Sequence, residues 1–151
     1  MRMSTYPLLS IAAVVSAVFG AVLQSQPAEG AELVAKVSGA RSERGSIGCA
    51  LFAAERGFPM DNSAALQLWV PVEAGSATCR FADVPAGRYA VSVLHDLNGN
   101  RKVDTNLFGI PKEGWAVSNN AAPRLRPPRF DEAAFVVDDA PLVQLELQLV
   151  H

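Results

Sequence analysis

The chain has 151 residues, half of them hydrophobic, and a formal net charge of −2. That length suits one domain and hardly two, and a near-neutral balance excludes the clear basic excess that nucleic-acid binding needs. Two cysteines and two histidines fall at no recognisable zinc spacing.

At the N-terminus, Arg2 supplies a short positive region and Leu8 to Leu23 form an apolar run broken only by Ser10, Ser16 and Gly20. Ala28-Glu29-Gly30 follows as a small-x-small cleavage site. This is the layout of a secretory signal peptide, and the run is short of the ~20 apolar residues that a membrane span prefers. Residues 1–30 are therefore expected to be a removed signal peptide, and residues 31–151 a single exported domain, periplasmic in a Gram-negative host and otherwise extracellular. Arg2 and Glu29 leave together, so the net charge hardly changes. No later segment is long and apolar enough to cross a membrane.

Period-two alternation runs through the rest of the chain. Leu33, Ala35 and Val37 mark a first strand; Ile47, Cys49, Leu51 and Ala53 a second; Leu68, Val70 and Val72 a third. Ala77, Cys79 and Phe81 mark a fourth, Tyr89, Val91 and Val93 a fifth, and Ala133, Phe135 and Val137 a sixth. Val143, Leu145, Leu147 and Leu149, separated by Gln144, Glu146 and Gln148, give the clearest strand. One helical turn is expected around Asp61 to Leu66, capped by Asp61 or Asn62. The fold class predicted is all-β, an antiparallel seven-stranded β-sandwich of immunoglobulin-like build. Cys49 and Cys79 both fall on inward-facing positions, and an even cysteine count in an oxidising compartment favours a disulfide between them. The alternative is a pair of separate buried thiols.

One connection breaks this rhythm. From Asp96 to about Glu132 no strand pattern is visible, and loops beyond ~12–15 residues are uncommon unless functional or disordered. Phe108 and Trp115 argue against simple disorder, so a packed irregular excursion over one end of the sandwich is expected. It opens with Asp96, Asn98, Asn100 and Asp104 at relative positions one, three, five and nine, a spacing at which calcium loops place oxygen ligands. Lys102 would add a backbone carbonyl, and Glu113 would close the shell if the loop folds back. The twelfth position is Leu107, not glutamate. Two readings stay open: a weak calcium site of the extracellular class, roughly 10⁻⁴–10⁻³ M, or an Asx-rich turn whose side chains bond their own backbone.

His95 shares the phase of Tyr89, Val91 and Val93, and its expected role is structural, with one ring nitrogen bonding the long loop; a metal or acid–base role is the alternative. His95, Trp115, Asn119 and Asn120 are candidates for a ligand or partner surface, with an envelope protein or a polysaccharide as partner. Against that, Trp115 would simply plug an open end of the sandwich. Arg124, Arg126 and Arg129 form a small basic strip. No catalytic set appears: the chain has neither a G-x-S-x-G elbow nor a glycine-rich phosphate loop. The leading functional expectation is a non-enzymatic exported module that binds through the Asp96–Asn120 loop. A metal-assisted hydrolase using His95, Asp96, Asp104 and Glu113, and a purely structural envelope protein, are the rivals.

Two resemblances bear on these residues. Phe81-x-x-Val84-Pro85-x-Gly87-x-Tyr89-x-Val91 resembles the strand–turn–strand signature of transthyretin-like domains, including those beside carboxypeptidases, and implies that Tyr89 packs in the core. Gly87-Arg88-Tyr89-Ala90-Val91, His95 to Asn100, Asp104, Phe108 to Gly114 and Ser118-Asn119-Asn120-Ala121 together resemble a family of small exported bacterial proteins, domain of unknown function 2141. That resemblance implies export and a β-sandwich and assigns no activity. The family usually has glycine where this chain has Arg101, the sixth loop position. Arginine adopts φ > 0 at a cost of roughly 1–2 kcal/mol and brings a positive charge, so weaker cation binding is expected here.

Overall fold

Alternating side chains sort into two sheets in the computed structural model, which describes residues 30–151. The expected signal peptide, residues 1–30, lies outside the described residues except for Gly30. The first sheet has the order β4 (Ser76–Val84), β1 (Ala31–Ser38), β8 (Leu142–Gln148). The second has the order β3 (Leu66–Pro71), β2 (Ser46–Phe52), β5 (Gly87–Asp96), β6 (Trp115–Val117), with β7 (Phe135–Val137) also paired to β5.

The main core lies between the sheets. Leu33, Ala35 and Val37 of β1 and Ala77, Cys79 and Phe81 of β4 pack with Ile47, Cys49 and Leu51 of β2 and Val91 and Val93 of β5. These are the positions that the alternation put inward. Cys49 and Cys79 are joined by a disulfide, Cα–Cα 6.4 Å, which ties β2 to β4 and so one sheet to the other. Closing a loop between residues 30 apart in the sequence adds about 3 kcal/mol by chain entropy. At the β4–β5 corner, Tyr89 donates its hydroxyl hydrogen to the Pro85 carbonyl at 3.0 Å and pins the turn that carries the chain between sheets.

The structure corrects the sequence reading in three places. The described residues hold eight strands, because β6 lies inside the connection read as strand-free; three residues are too few for alternation to announce a strand. The β1–β8 pair is parallel, not antiparallel: the chain reaches β8 from β7, on the opposite sheet, and so enters beside β1 in the same direction. Ala133 belongs to a four-residue helix, α1 (Phe130–Ala133), rather than to the strand at Phe135. The helical turn expected near Asp61 is a short 3-10 segment, Asn62–Ala64, and the Asp61 side chain accepts the Ser63 N–H at its start.

A second apolar cluster lies away from the sheet interface. Ala50 and Phe52 of β2 and Ala90 of β5 pack with Val117 of β6 and Phe130 and Ala133 of α1. The excursion after β5 thus runs across the outer face of the larger sheet. Cross-strand register places Trp69, Gly48, Leu94 and Trp115 in one row of that face. A Cβ at Gly48 would come within 2.5 Å of the Trp69 ring, so only glycine lets that ring lie down on β2.

Candidate functional site

Asp96 is the last residue of β5 and is 0% exposed. Its Oδ1 accepts the Gly99 N–H and its Oδ2 the Arg101 N–H, both at 2.7 Å. Two Asx turns follow: Asn98 Oδ1 accepts the Asn100 N–H at 2.9 Å, and Asn100 Oδ1 accepts the Lys102 N–H at 2.8 Å. The amide hydrogens of Asn98 and Asn100 both point at the Asp104 carboxylate, at 2.6 and 3.0 Å. Asp96, Asn98, Asn100 and Asp104, read together in the sequence, lie in one loop, and each of these side chains bonds within it. Lys102 enters through its backbone nitrogen.

Glu113 folds back as expected: its Oε1 accepts the Leu97 N–H at 2.8 Å. Its Oε2 is buried and has no hydrogen-bond partner. A buried carboxylate oxygen without a donor is unusual. Among the described residues, no group of three or more His, Cys, Asp or Glu side chains gathers as a metal cluster.

His95 is 1% exposed, so it takes no part in a surface. Its Nε2 lies 3.0 Å from the Arg44 carbonyl and braces the β1–β2 connection rather than the long loop, because its inward phase aims the ring across β2. Asn119 and Asn120 are braces as well. Asn119 Nδ2 donates to the Glu132 and Ala134 carbonyls at 3.2 and 3.0 Å. Asn120 donates to the Glu146 carbonyl and accepts the Gln148 N–H, at 3.0 and 2.8 Å, engaging the backbone of β8 as a neighbouring strand would. Both asparagines sit at positive φ, 61° and 51°, a conformation asparagine tolerates better than most residues. Ser118, fully buried, accepts the Val91 N–H at 2.9 Å and donates to the Ala133 carbonyl.

Of the four candidate surface residues, Trp115 is the one that borders a groove. It stands on β6, on the outer face of the larger sheet, and lines a groove of about 510 Å³. Gly48, Ser92 and Leu94 form the sheet side of that groove, and two stretches of the excursion, Phe108–Pro111 and Ala122–Pro128, form its walls. The first wall is a tight turn: Asn106 Oδ1 accepts the Phe108 and Ile110 N–H groups at 2.9 and 3.1 Å, and Gly109 sits at φ 75°. That turn leaves Leu107 and Phe108 102% and 88% exposed, and Leu125 on the facing wall is 98% exposed. None of His95, Asp96, Asp104 or Glu113 lines the groove.

The family model described as "Uncharacterized protein conserved in bacteria (DUF2141)" matches residues 35–144, a span from the first strand into the last. The chain belongs to this family. No curated protein and no solved structure matches it.

The family motifs quoted from this chain now have physical roles. His95 to Asn100 and Asp104 form the self-bonded loop, Phe108 to Gly114 the exposed turn and its return, and Ser118 to Asn120 a clamp on β5, α1 and β8. Arg101, at the sixth loop position, adopts φ 57°, a conformation that glycine reaches without strain. Its guanidinium lies 5.5 Å from the centre of the Trp69 ring, a cation–π contact worth about 0.5–1 kcal/mol when exposed. The expected positive charge is therefore directed onto an aromatic ring. In the basic strip, Arg126 makes a two-pronged pair with Glu132, with Nη1 to Oε2 at 2.8 Å. That pair, with the Arg129 N–H as a second donor, lowers the Glu132 carboxyl from its ordinary 4.5 to about 2. Of the groove residues, Phe108 was read in the sequence only as an argument against disorder, and Met60, Ile110 and Leu125 were not proposed as a surface. Their signal was present in one form: large apolar residues inside a segment that carries no alternation to bury them.

Proposed function

We propose that the protein is an exported, non-enzymatic binding module of the bacterial envelope, built on a transthyretin-like sandwich, whose ligand surface is the groove beneath the excursion. The observation that carries this reading is the groove with its exposed apolar rim, Phe108 and Leu125. Monomeric proteins rarely leave large apolar side chains clustered in solvent without a binding use, and the volume lies within the ~300–1,000 Å³ usual for small-ligand sites. Export is supported by the disulfide, which persists in oxidising compartments. The test is binding of the neutral apolar dye N-phenyl-1-naphthylamine. The purified protein should enhance its fluorescence, and Ala122→Trp, which fills the groove from an exposed position, should abolish that enhancement. No enhancement with the unaltered protein sinks the reading.

Calcium enters this proposal as an ion that orders the first part of the excursion. The unpartnered Glu113 Oε2 supports it; the Asn98 and Asn100 amide hydrogens turned onto Asp104 weigh against it. Thermal unfolding in millimolar calcium and in excess EDTA decides between them. A calcium-dependent rise in Tm that Asp104→Ala lacks identifies an ion site, and equal midpoints identify an Asx-braced turn. The hydrolase reading has less support, because His95 bonds the Arg44 carbonyl and lies outside the groove.

A further inference from the structure

The groove differs in charge from the molecule that carries it. The chain has a net charge of −2, yet the groove lining contains Arg124, Arg126 and His151 and no Asp or Glu. Two of these groups are already engaged: Arg126 with Glu132, and His151, whose Nε2 lies 2.9 Å from the Gly39 carbonyl. Arg124 joins none of the ion pairs among the described residues. It is exposed and stands beside Leu125 on the wall facing Phe108.

The walls and floor ask for an apolar occupant that makes few hydrogen bonds. Leu94 and Trp115 pair across the floor, and Phe108, Ile110 and Leu125 supply the walls. The sheet backbone beneath is committed to its own ladder, so an extended peptide laid in the groove would leave its N–H and C=O groups largely unpaired, at ~1–3 kcal/mol each. An acyl chain makes no such demand. A carboxylate at its end would meet Arg124, the groove arginine that joins no ion pair among the described residues.

We infer that the groove takes the acyl chain of a free fatty acid, with its carboxylate held by Arg124 and its chain covered by Phe108 and Leu125. This inference rests on the proposal that the groove is the binding surface and names the class of ligand.

The experiment displaces N-phenyl-1-naphthylamine from the purified protein with oleate, oleyl alcohol and oleylamine in parallel. Oleate should displace it at about tenfold lower concentration than oleyl alcohol, and oleylamine should be the weakest. Arg124→Gln should remove the preference for oleate while leaving oleyl alcohol unchanged. Phe108→Ala with Leu125→Ala should weaken all three; both side chains are exposed in the free protein, so the variant keeps its fold, checked by an unchanged Tm. Equal displacement by oleate and oleyl alcohol, or an Arg124→Gln variant that still prefers oleate, overturns the fatty-acid inference and leaves the binding-module reading standing. Dye binding that no monomeric lipid reverses, with the protein instead co-sedimenting with phosphatidylglycerol vesicles, overturns it in favour of membrane docking. Absence of dye binding to the unaltered protein overturns both.

Discussion

Between Asp96 and Asp104 the Asp and Asn side chains are bonded inside their own loop, whereas between Leu107 and Leu125 several of the largest apolar side chains stand in solvent. The two halves of one excursion thus do opposite things with the groups that define them. The first half closes on itself and gains a fixed shape; the second leaves apolar area uncovered, and uncovered area of that kind drives association at about 25 cal/mol per Å² once buried. A rich set of oxygen ligands is therefore a weaker pointer to recognition here than the apolar turn beside it. On the proposed reading the polar loop would serve as the mount, and the turn Asn106–Ile110 with its facing wall would be the part offered to a ligand.

The comparison breaks most visibly at Asp96. If the polar loop is a mount, Asp96→Ala removes two charge-assisted hydrogen bonds and leaves two backbone N–H groups unsatisfied. At ~1.5–2 kcal/mol per bond, the loss should reach about 3–4 kcal/mol in urea unfolding. A loss below about 1 kcal/mol would mean the loop's bonds are dispensable and the contrast between the halves is only apparent. Hydrogen exchange sharpens the point: the Gly99 and Arg101 amides should exchange slowly in the unaltered protein and fast in the variant.

Replacing both Cys49 and Cys79 with Ala is the control. It acts on the sheet interface, touches neither half of the excursion, and should reduce stability by about 3 kcal/mol. Dye binding under native conditions should survive. If it vanishes with the disulfide, the groove depends on how the sheets face each other and not on the excursion alone.

Much of the frame was legible in the sequence. Alternation located the inward residues of the long strands, and strand phase put Cys49 and Cys79 on one interface, because burial on a single face of a strand imposes a period of two. The self-bonded loop was legible too, since Asp and Asn at alternate positions favour Asx turns. What sequence could not reach was long-range: that β8 joins β1 in parallel, that Asn120 engages β8 in place of a strand, and that Arg44 receives the His95 ring. None of these pairings leaves a local periodic trace. The groove was hidden for the same reason. Its walls come from one excursion, but its floor comes from β2, β5 and β6, so no window of sequence contains it.

The basic strip offers a smaller test. Glu132 is held near 2 by Arg126 and by the Arg129 N–H, below its ordinary 4.5. A carboxyl whose folded value is depressed contributes stability that is fully present above about 4.5 and is lost as pH falls through about 2. NMR titration of the Glu132 carboxyl should give a midpoint near 2, and Arg126→Gln should return it toward the ordinary value. Arg124→Gln should leave the midpoint alone. If it moves as much as with Arg126→Gln, then Arg124 is also tied to Glu132 and is not the group left for a ligand.

The smallest effect concerns Arg101, and it sets opposed terms against each other. Arg101 at φ 57° carries a backbone penalty of roughly 1–2 kcal/mol, and the contact of its guanidinium with Trp69 returns about 0.5–1. Arg101→Gly removes the penalty and the contact together and adds the entropy of a freer unfolded chain, about 0.5–1 kcal/mol. These terms nearly cancel, so the single substitution should change stability by no more than about 1 kcal/mol in either direction. The pair separates them. In a Trp69→Leu background the cation–π contact is already gone, so Arg101→Gly should be more stabilising there than in the unaltered protein by about 0.5–1 kcal/mol. A cycle that closes with no coupling would mean that the arginine–tryptophan contact contributes nothing. The left-handed conformation would then be held entirely by the Asp96 carboxylate accepting the Arg101 N–H, which places the whole burden of that strained residue on the polar mount.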